Sequence, residues 1–220
     1  MSDALLALFA KAPIPGEVKT RLCPPLSLTE AASLYEAMLL DILDQHARFE
    51  GAERVLWYTP PAAASWFERS AGGRYRLRPQ EGPDLGARMG TLFRAHAREG
   101  YGRMVLRGTD SPTLPLERVS AAFDALERAE LVLCPDRDGG YNLIGLRAPC
   151  DALFELEMSR ASVLEQTVAR AREKGLCVEI LPPHHDVDTA EDLSRIREAL
   201  SAEHTPRTLR WFQNARGSIG

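Results

Sequence analysis

The sequence predicts an α/β protein with a mainly parallel β-sheet covered by helices on both faces. Two observations lead there. Short apolar runs of strand length alternate with segments whose apolar residues recur at helical spacing, and this alternation continues from Ala4 to Cys134. The first run, Ala4 to Ala10, is apolar at every position, as expected of a strand covered on both faces inside the sheet.

Each element has its own signal. Ser27-Leu28-Thr29-Glu30 is an S-x-x-E capping box, and Ala31, Leu34, Tyr35, Met38 and Ile42 follow at helical spacing, predicting a long helix to about Phe49. Strands are expected at Glu53 to Tyr58, Tyr75 to Arg78, Met104 to Leu106 and Glu130 to Cys134. Helices are expected at Pro61 to Arg69, Leu85 to Arg98 and Leu116 to about Arg128. Beyond these, Asn142 to Leu146 reads as a further strand of open direction, and Ser162 to Lys174 as a helix stopped by Gly175. Cys177 to Leu181 is the last strand and Thr189 to Leu200 a helix; a tail from about residue 205 begins with Pro206 and carries Arg207, Arg210 and Arg216 around Trp211 and Phe212. No linker or repeat interrupts the 220 residues, so a single domain is expected, with the tail packed on it; a homodimer stays compatible with this pattern.

Composition narrows the function classes. A net charge of −4 gives no general attraction to nucleic acid or to an anionic membrane, so any phosphate recognition must be local. No apolar stretch reaches the length of a membrane span, and no basic leader precedes an apolar core, so a cytoplasmic location is the default. Cys23, Cys134, Cys150 and Cys177 form no C-x-x-C pair, which argues for reduced thiols over a zinc ribbon or dithiol motif.

Ligands of open α/β sheets bind beyond the carboxyl ends of the strands, so the loops there are the candidate chemistry. In Lys11 to Leu22, Gly16 permits positive φ, while Lys19 offers a point charge and Arg21 a planar fork for phosphate oxygens; a solvated turn fits equally. Asp110, held between Gly108 and Pro112 at a strand tip, suits Mg²⁺ or Mn²⁺, or alternatively caps the next turn. In Asp136 to Tyr141, Gly139 and Gly140 allow close approach of a ligand, Asp138 can accept from hydroxyls, and Tyr141 can stack; a D-G-G hairpin turn explains them as well. Asp84 suits a helix cap, and Arg88 stands one turn on, where it can face a pocket. His184 and His185 are adjacent on an extended segment, so they are expected to point apart and not to share a metal.

The ordered blocks A-K-A-P-I-P-G-E-V-K-T-R-L, Q-E-G-P-D-L-G-A-R-M, G-T-D-S-P-T-L-P, D-R-D-G-G-Y-N-L-I-G-L and D-V-D-T-A-E-D-L span about Leu5 to Leu193. Together they resemble a bacterial family of the GT-A nucleotide-diphospho-sugar transferase superfamily, the arsenosugar-biosynthesis-type glycosyltransferases. The resemblance implies a Rossmann-like GT-A fold, a nucleotide-activated donor, a small-molecule acceptor and a Mg²⁺ or Mn²⁺ cofactor. It implies that Ala10, Pro15, Gly16, Lys19, Arg21 and Arg88 meet the nucleotide and its phosphates. Asp110 and Asp188 would hold the metal, with Ala190 where related synthetases carry proline. Gly139, Gly140 and Tyr141 would line the acceptor or sugar pocket, and Asp138 would orient or deprotonate the acceptor.

Two departures keep the reaction open. Asp110 is followed by Ser111 and Pro112, without the second carboxylate of a glycosyltransferase D-x-D, and the first loop has fewer glycines than nucleotidyltransferases carry. Metal-dependent glycosyl transfer, with Asp110, Lys19 and Asp138 as catalytic residues, is the first expectation. Nucleotidyl transfer from an NTP to a phosphorylated small molecule is the alternative, and a non-catalytic nucleotide-binding protein the third.

Overall fold

Seven strands form one sheet in this computed structural model, which describes residues 3–158 and 162–215. They are β1 (Ala4–Lys11), β2 (Glu53–Thr59), β3 (Arg76–Pro79), β4 (Arg103–Arg107), β5 (Leu131–Pro135), β6 (Tyr141–Leu146) and β7 (Val178–Ile180). Their order across the sheet is β3-β2-β1-β4-β6-β5-β7. All neighbours are parallel except β6, which runs antiparallel to both β4 and β5. The strand of open direction is therefore the reversed one, and its amino end joins the carboxyl ends of its neighbours.

Side chains of β1 alternate between the two faces. Leu5, Ala7 and Phe9 pack with α3 (Leu85–Arg98) and α5 (Val163–Glu173), through Met89, Leu92, Phe93 and Ala171. Leu8 and Ala10 pack on the opposite face with Tyr35, Leu39 and Ile42 of α1 (Leu28–His46) and Phe67 of α2 (Ala64–Ala71). Leu6 meets Val119 and Phe123 of α4 (Leu116–Ala125) on that same side. Helices thus cover both faces, which is why β1 is apolar at successive positions.

The capping signals act where they were read. Ser27 and Glu30 close the box at the start of α1, and Asp84 accepts from the Ala87 amide at 2.8 Å to start α3. Two helices stop earlier than their periodicity suggests. α1 ends at His46, because the His46 ring turns inward onto the Ile42 carbonyl, and α4 ends at Ala125, where the chain bends to bury Leu126.

A third layer lies outside α1. α6 (Ala190–Ala199) and α7 (Pro206–Asn214) pack Leu193, Ile196 and Phe212 against Leu34 and Met38. The tail helix therefore packs on its own chain; Arg216 lies outside the described residues. Asp41, fully buried on α1, accepts from the Arg207 and Thr208 amides at 3.1 and 2.8 Å and from the Thr208 hydroxyl at 2.8 Å. A carboxylate from one helix thus caps another. Asp41→Ala is expected to cost about 2–3 kcal/mol, since it strands buried donors. A thermal melt should show Tm lower by about 5–10 °C in a chain of this size.

Two histidines are buried and neutral. His96 accepts from the Trp57 indole at 3.0 Å, and His46 lies against Ile42 and Arg107. Burial, the largest cause for both, holds their pKa values below the ordinary 6.5, that of His46 well below. The unfolded chain therefore takes up protons near pH 6.5 that the folded chain refuses, so their contribution is full above that pH and falls as the pH drops below it. Melts at about pH 7.5 and about pH 5 should show the lower Tm at acid pH, with a smaller difference in His96→Gln.

Candidate functional site

Beyond the carboxyl ends of β1 and β4, beside the reversed start of β6, lies a cleft of about 450 Å³. Four segments bring charge to it, and Lys19 links three of them. The first loop leaves β1 and turns at Gly16, whose φ of +84° is open to glycine and strained for other residues. Three residues on, Lys19 itself adopts φ +50°, an uncommon conformation for a residue with a side chain, and this carries its ammonium inward.

Lys19 bridges two of the other segments. Its side chain is 4% exposed, pairs with Asp110 and bonds Asp188 Oδ1 at 2.9 Å. The ammonium also stands 6.0 Å from the centre of the Tyr35 ring. Burial alone would lower the Lys19 pKa, but Asp110 and Asp188 outweigh it and hold the group charged, above its ordinary value. Arg21, mostly exposed, reaches Asp188 Oδ2 at 3.7 Å from the rim.

The carboxylates are held by backbone. The Val187 amide donates to the Asp110 carbonyl at 2.9 Å, which stitches the 108–112 loop to the strip carrying Asp186 and Asp188. Asp192 fixes the far end of that strip by accepting from the Asp188 and Thr189 amides at 3.1 and 2.8 Å. On the other side, Thr109 donates to the Phe9 carbonyl at 3.0 Å and so accepts from Tyr35, whose oxygen in turn accepts from the Lys11 amide. Burial, with Asp110 next, pushes the Tyr35 phenol up to about 12, so it remains a donor.

Acidity continues deeper into the cleft. Asp186 is half-buried, and its Oδ1, shielded from solvent, has no hydrogen-bond partner among the described residues. Burial, then Asp110 and Asp136, raise its pKa well above the ordinary carboxylate range. Asp136, raised to about 6 by burial and by its bond with Asp138, accepts from the Asp186 amide at 3.1 Å. Asp138 also accepts from the Gly140 amide at 3.2 Å, within the turn that joins β5 to β6.

The opposite wall is apolar and comes from Phe9, Met89, Tyr141, Ile144, Met158 and Val163. Asn142 interrupts it. Its side chain is buried and lines the cleft, yet neither amide atom has a hydrogen-bond partner among the described residues, which makes it a candidate ligand contact.

Of the residues singled out in the sequence, Ala10, Lys19, Arg21, Asp110, Asp138, Gly140, Tyr141 and Asp188 line the cleft. Pro15, Gly16, Arg88 and Gly139 are outside its lining. Gly16 serves the turn, and Arg88 is folded back onto the Gly82 carbonyl at 3.0 Å instead of facing the pocket. The histidines also differ from expectation: their rings lie 6.1 Å apart, inclined by 29°, rather than on opposite sides. His184 is engaged with Thr113 at 3.1 Å, and burial lowers it to about 4. Tyr35, Thr109, Asp136, Asn142 and Asp186 join the site without having been singled out for it.

A divalent cation fits the acidic end. Mg²⁺ and Mn²⁺ favour oxygen donors and usually take only one or two carboxylates from a protein, filling other positions with phosphate and water. Asp110 and Asp188 already share one cation, and Asp186 Oδ1 beside them has no hydrogen-bond partner among the described residues. Among the described residues, no group of three or more His, Cys, Asp or Glu side chains could hold a metal without such help.

Comparison with known proteins places the geometry in a lineage. A 2-phospho-L-lactate guanylyltransferase from Methanothermobacter thermautotrophicus is 32% identical over 208 residues, 91% of this chain and 89% of that protein. A 3-phospho-D-glycerate guanylyltransferase from Phenylobacterium zucineum is 38% identical over 151 residues, 67% of each. A phosphoenolpyruvate guanylyltransferase from Conexibacter woesei is 33% identical over 197 residues, 84% of this chain and 83% of that protein. Among solved structures, one from Desulfovibrio desulfuricans G20, provisionally assigned as a nucleotide-diphospho-sugar transferase, superposes with a TM-score of 0.92 at 32% identity, covering 100% of this chain and 97% of that one. A Leptospira borgpetersenii cytidylyltransferase, at TM-score 0.60 and 15% identity over 100% of this chain and 97% of that one, shares the fold.

The resemblance read in the sequence thus holds for the nucleotide-diphospho-sugar transferase fold. It is corrected at the finer level, since these three relatives are named guanylyltransferases and not arsenosugar glycosyltransferases. Over residues 42–160, more than half its length, the chain matches the family described as "Uncharacterized protein conserved in bacteria (DUF2064)", and it belongs to that family.

Proposed function

We propose that this chain is a metal-dependent nucleotidyltransferase of the guanylyltransferase type. A phosphate oxygen of a small phosphorylated acid attacks the α-phosphorus of GTP, the bond from that phosphorus to the bridging oxygen breaks, and pyrophosphate leaves. The observation that carries this reading is Lys19, buried and charged between Asp110 and Asp188 at the mouth of the first loop. The names of the relatives support the choice of base and acceptor class.

The proposed roles draw on the geometry. Lys19 offers a desolvated point charge to the phosphates, and Arg21 a second cation at the rim. Mg²⁺ or Mn²⁺ on Asp110 and Asp188 supplies neutralisation of charge on the reacting phosphates. Asn142 and Tyr141 face the acceptor. A phosphate monoester has its second pKa at about 6, so this nucleophile needs no general base at neutral pH. Asp138 is then assigned to shaping the acceptor hairpin through Gly140, not to deprotonation.

Glycosyl transfer is the weaker reading, because Ser111 and Pro112 leave Asp110 without the second carboxylate of a D-x-D. The test is a matrix of four NTPs against 2-phospholactate, 3-phosphoglycerate and phosphoenolpyruvate with Mg²⁺, following pyrophosphate. Pyrophosphate from GTP in the presence of one of these acids is the expected result. Release of a nucleoside diphosphate from sugar nucleotides, with no pyrophosphate from any NTP, would overturn it.

A further inference from the structure

We propose that Arg107 and His46 form a positioning pair that holds the Asp110 loop in its metal-binding shape. This rests on the assignment of Asp110 as a metal ligand. Arg107 is the last residue of β4, and its side chain is wholly buried on the α1 side of the sheet. Its Nε donates to the Gly108 carbonyl at 3.0 Å and its Nη2 to the Ser111 carbonyl at 2.6 Å. One rigid, planar group therefore grips the loop on both sides of Asp110.

The third contact fixes the guanidinium itself. Nη1 meets His46 Nε2 at 2.9 Å, while His46 Nδ1 meets the Ile42 carbonyl at 2.9 Å. A carbonyl can only accept, so Nδ1 carries the proton and Nε2 presents its lone pair to Arg107. Burial, with Arg107 next, keeps His46 neutral, as this bond requires.

The arrangement is costly unless it serves the loop. Among the described residues no carboxylate hydrogen-bonds Arg107, and burial brings its pKa down to about 10, with Asp186 the foremost opposing charge. An apolar side chain in its place would leave the Gly108 and Ser111 carbonyls and His46 Nε2 without this donor. What an apolar residue cannot do is tie Gly108 to Ser111 and hold Asp110 between them.

The test uses the full chain without nucleotide. Mn²⁺ binding is read by electron paramagnetic resonance, amide exchange at Gly108 by mass spectrometry, and folding by thermal melts. Arg107→Met is expected to weaken Mn²⁺ binding about tenfold and to speed exchange at Gly108, whose amide donates to the Asn142 carbonyl at 3.0 Å. Arg107→Lys, which keeps the charge but lacks the fork, should fall between this variant and wild type. His46→Gln retains an acceptor and should match wild type, whereas His46→Leu should weaken Mn²⁺ binding about threefold.

A folded Arg107→Met with wild-type Mn²⁺ affinity, whatever its Tm, would overturn the proposal. If that variant does not fold, the histidine pair decides: equal Mn²⁺ affinity in His46→Gln and His46→Leu overturns it. If the wild type binds no Mn²⁺, the metal reading fails, and unchanged exchange at Gly108 in His46→Leu would reject the positioning as well.

Discussion

Asp110→Ala is expected to lower the rate of pyrophosphate release by about 10³-fold while leaving the melting temperature close to that of the wild type. The loss is large because the proposed mechanism has Asp110 hold a cation against phosphate, with Asp188 the other carboxylate on Lys19. The fold is spared because the Asp110 carbonyl, which accepts from Val187 at 2.9 Å, survives truncation of the side chain, and Lys19 keeps its bond to Asp188 at 2.9 Å. Single-turnover assays with radiolabelled GTP, alongside thermal melts, check both halves. Activity within tenfold of wild type would remove Asp110 from the chemistry.

Lys19→Ala is expected to act in two opposite directions. Without its buried ammonium, the nucleoside triphosphate loses its phosphate partner, so affinity should fall by about 10²-fold for GTP and little for guanosine. Equal losses for the two ligands would mean that Lys19 does not touch phosphate. The metal should respond the other way. Lys19 neutralises Asp110 and Asp188 in the nucleotide-free chain, so its removal leaves both carboxylates facing one another with no cation between them. Mn²⁺ binding without nucleotide is therefore expected to tighten, read by titration calorimetry. A variant that weakens both ligands equally would point to collapse of the loop instead of loss of one charge.

Much of the fold was legible because its signals are local. The Ser27–Glu30 box and the Asp84 cap are written within four residues, and the all-apolar β1 follows from being covered twice. Lys19, Asp110 and Asp188 could be suspected from strand tips and the ordered blocks. Asn142 and Asp136 could not, because their places depend on β6 running backwards between β4 and β5, nor could Asp186, whose strip is brought in by long-range bonds to Asp110 and Asp136. Read as a strand residue, Asn142 is merely polar; only the lack of any partner in a cleft wall gives it meaning. Tyr35 was read correctly as an inward residue of α1, but helical spacing cannot say that its hydroxyl ends on Thr109. Arg88 failed for the converse reason: one helical turn places a side chain without deciding that it bends back to Gly82.

The reversal of β6 has a consequence for how such a protein can diversify. The turn between Pro135 and Tyr141 brings Asp136, Asp138 and Gly140 to the cleft, while Lys19 and Arg21 enter it from the loop after β1. Residues can be added to or removed from that hairpin without disturbing the parallel pairing of β1 with β2 and β4. Under the proposed roles, acceptor choice and phosphate handling lie on separate pieces of chain, and a lineage can change what it modifies while keeping how it handles the nucleotide.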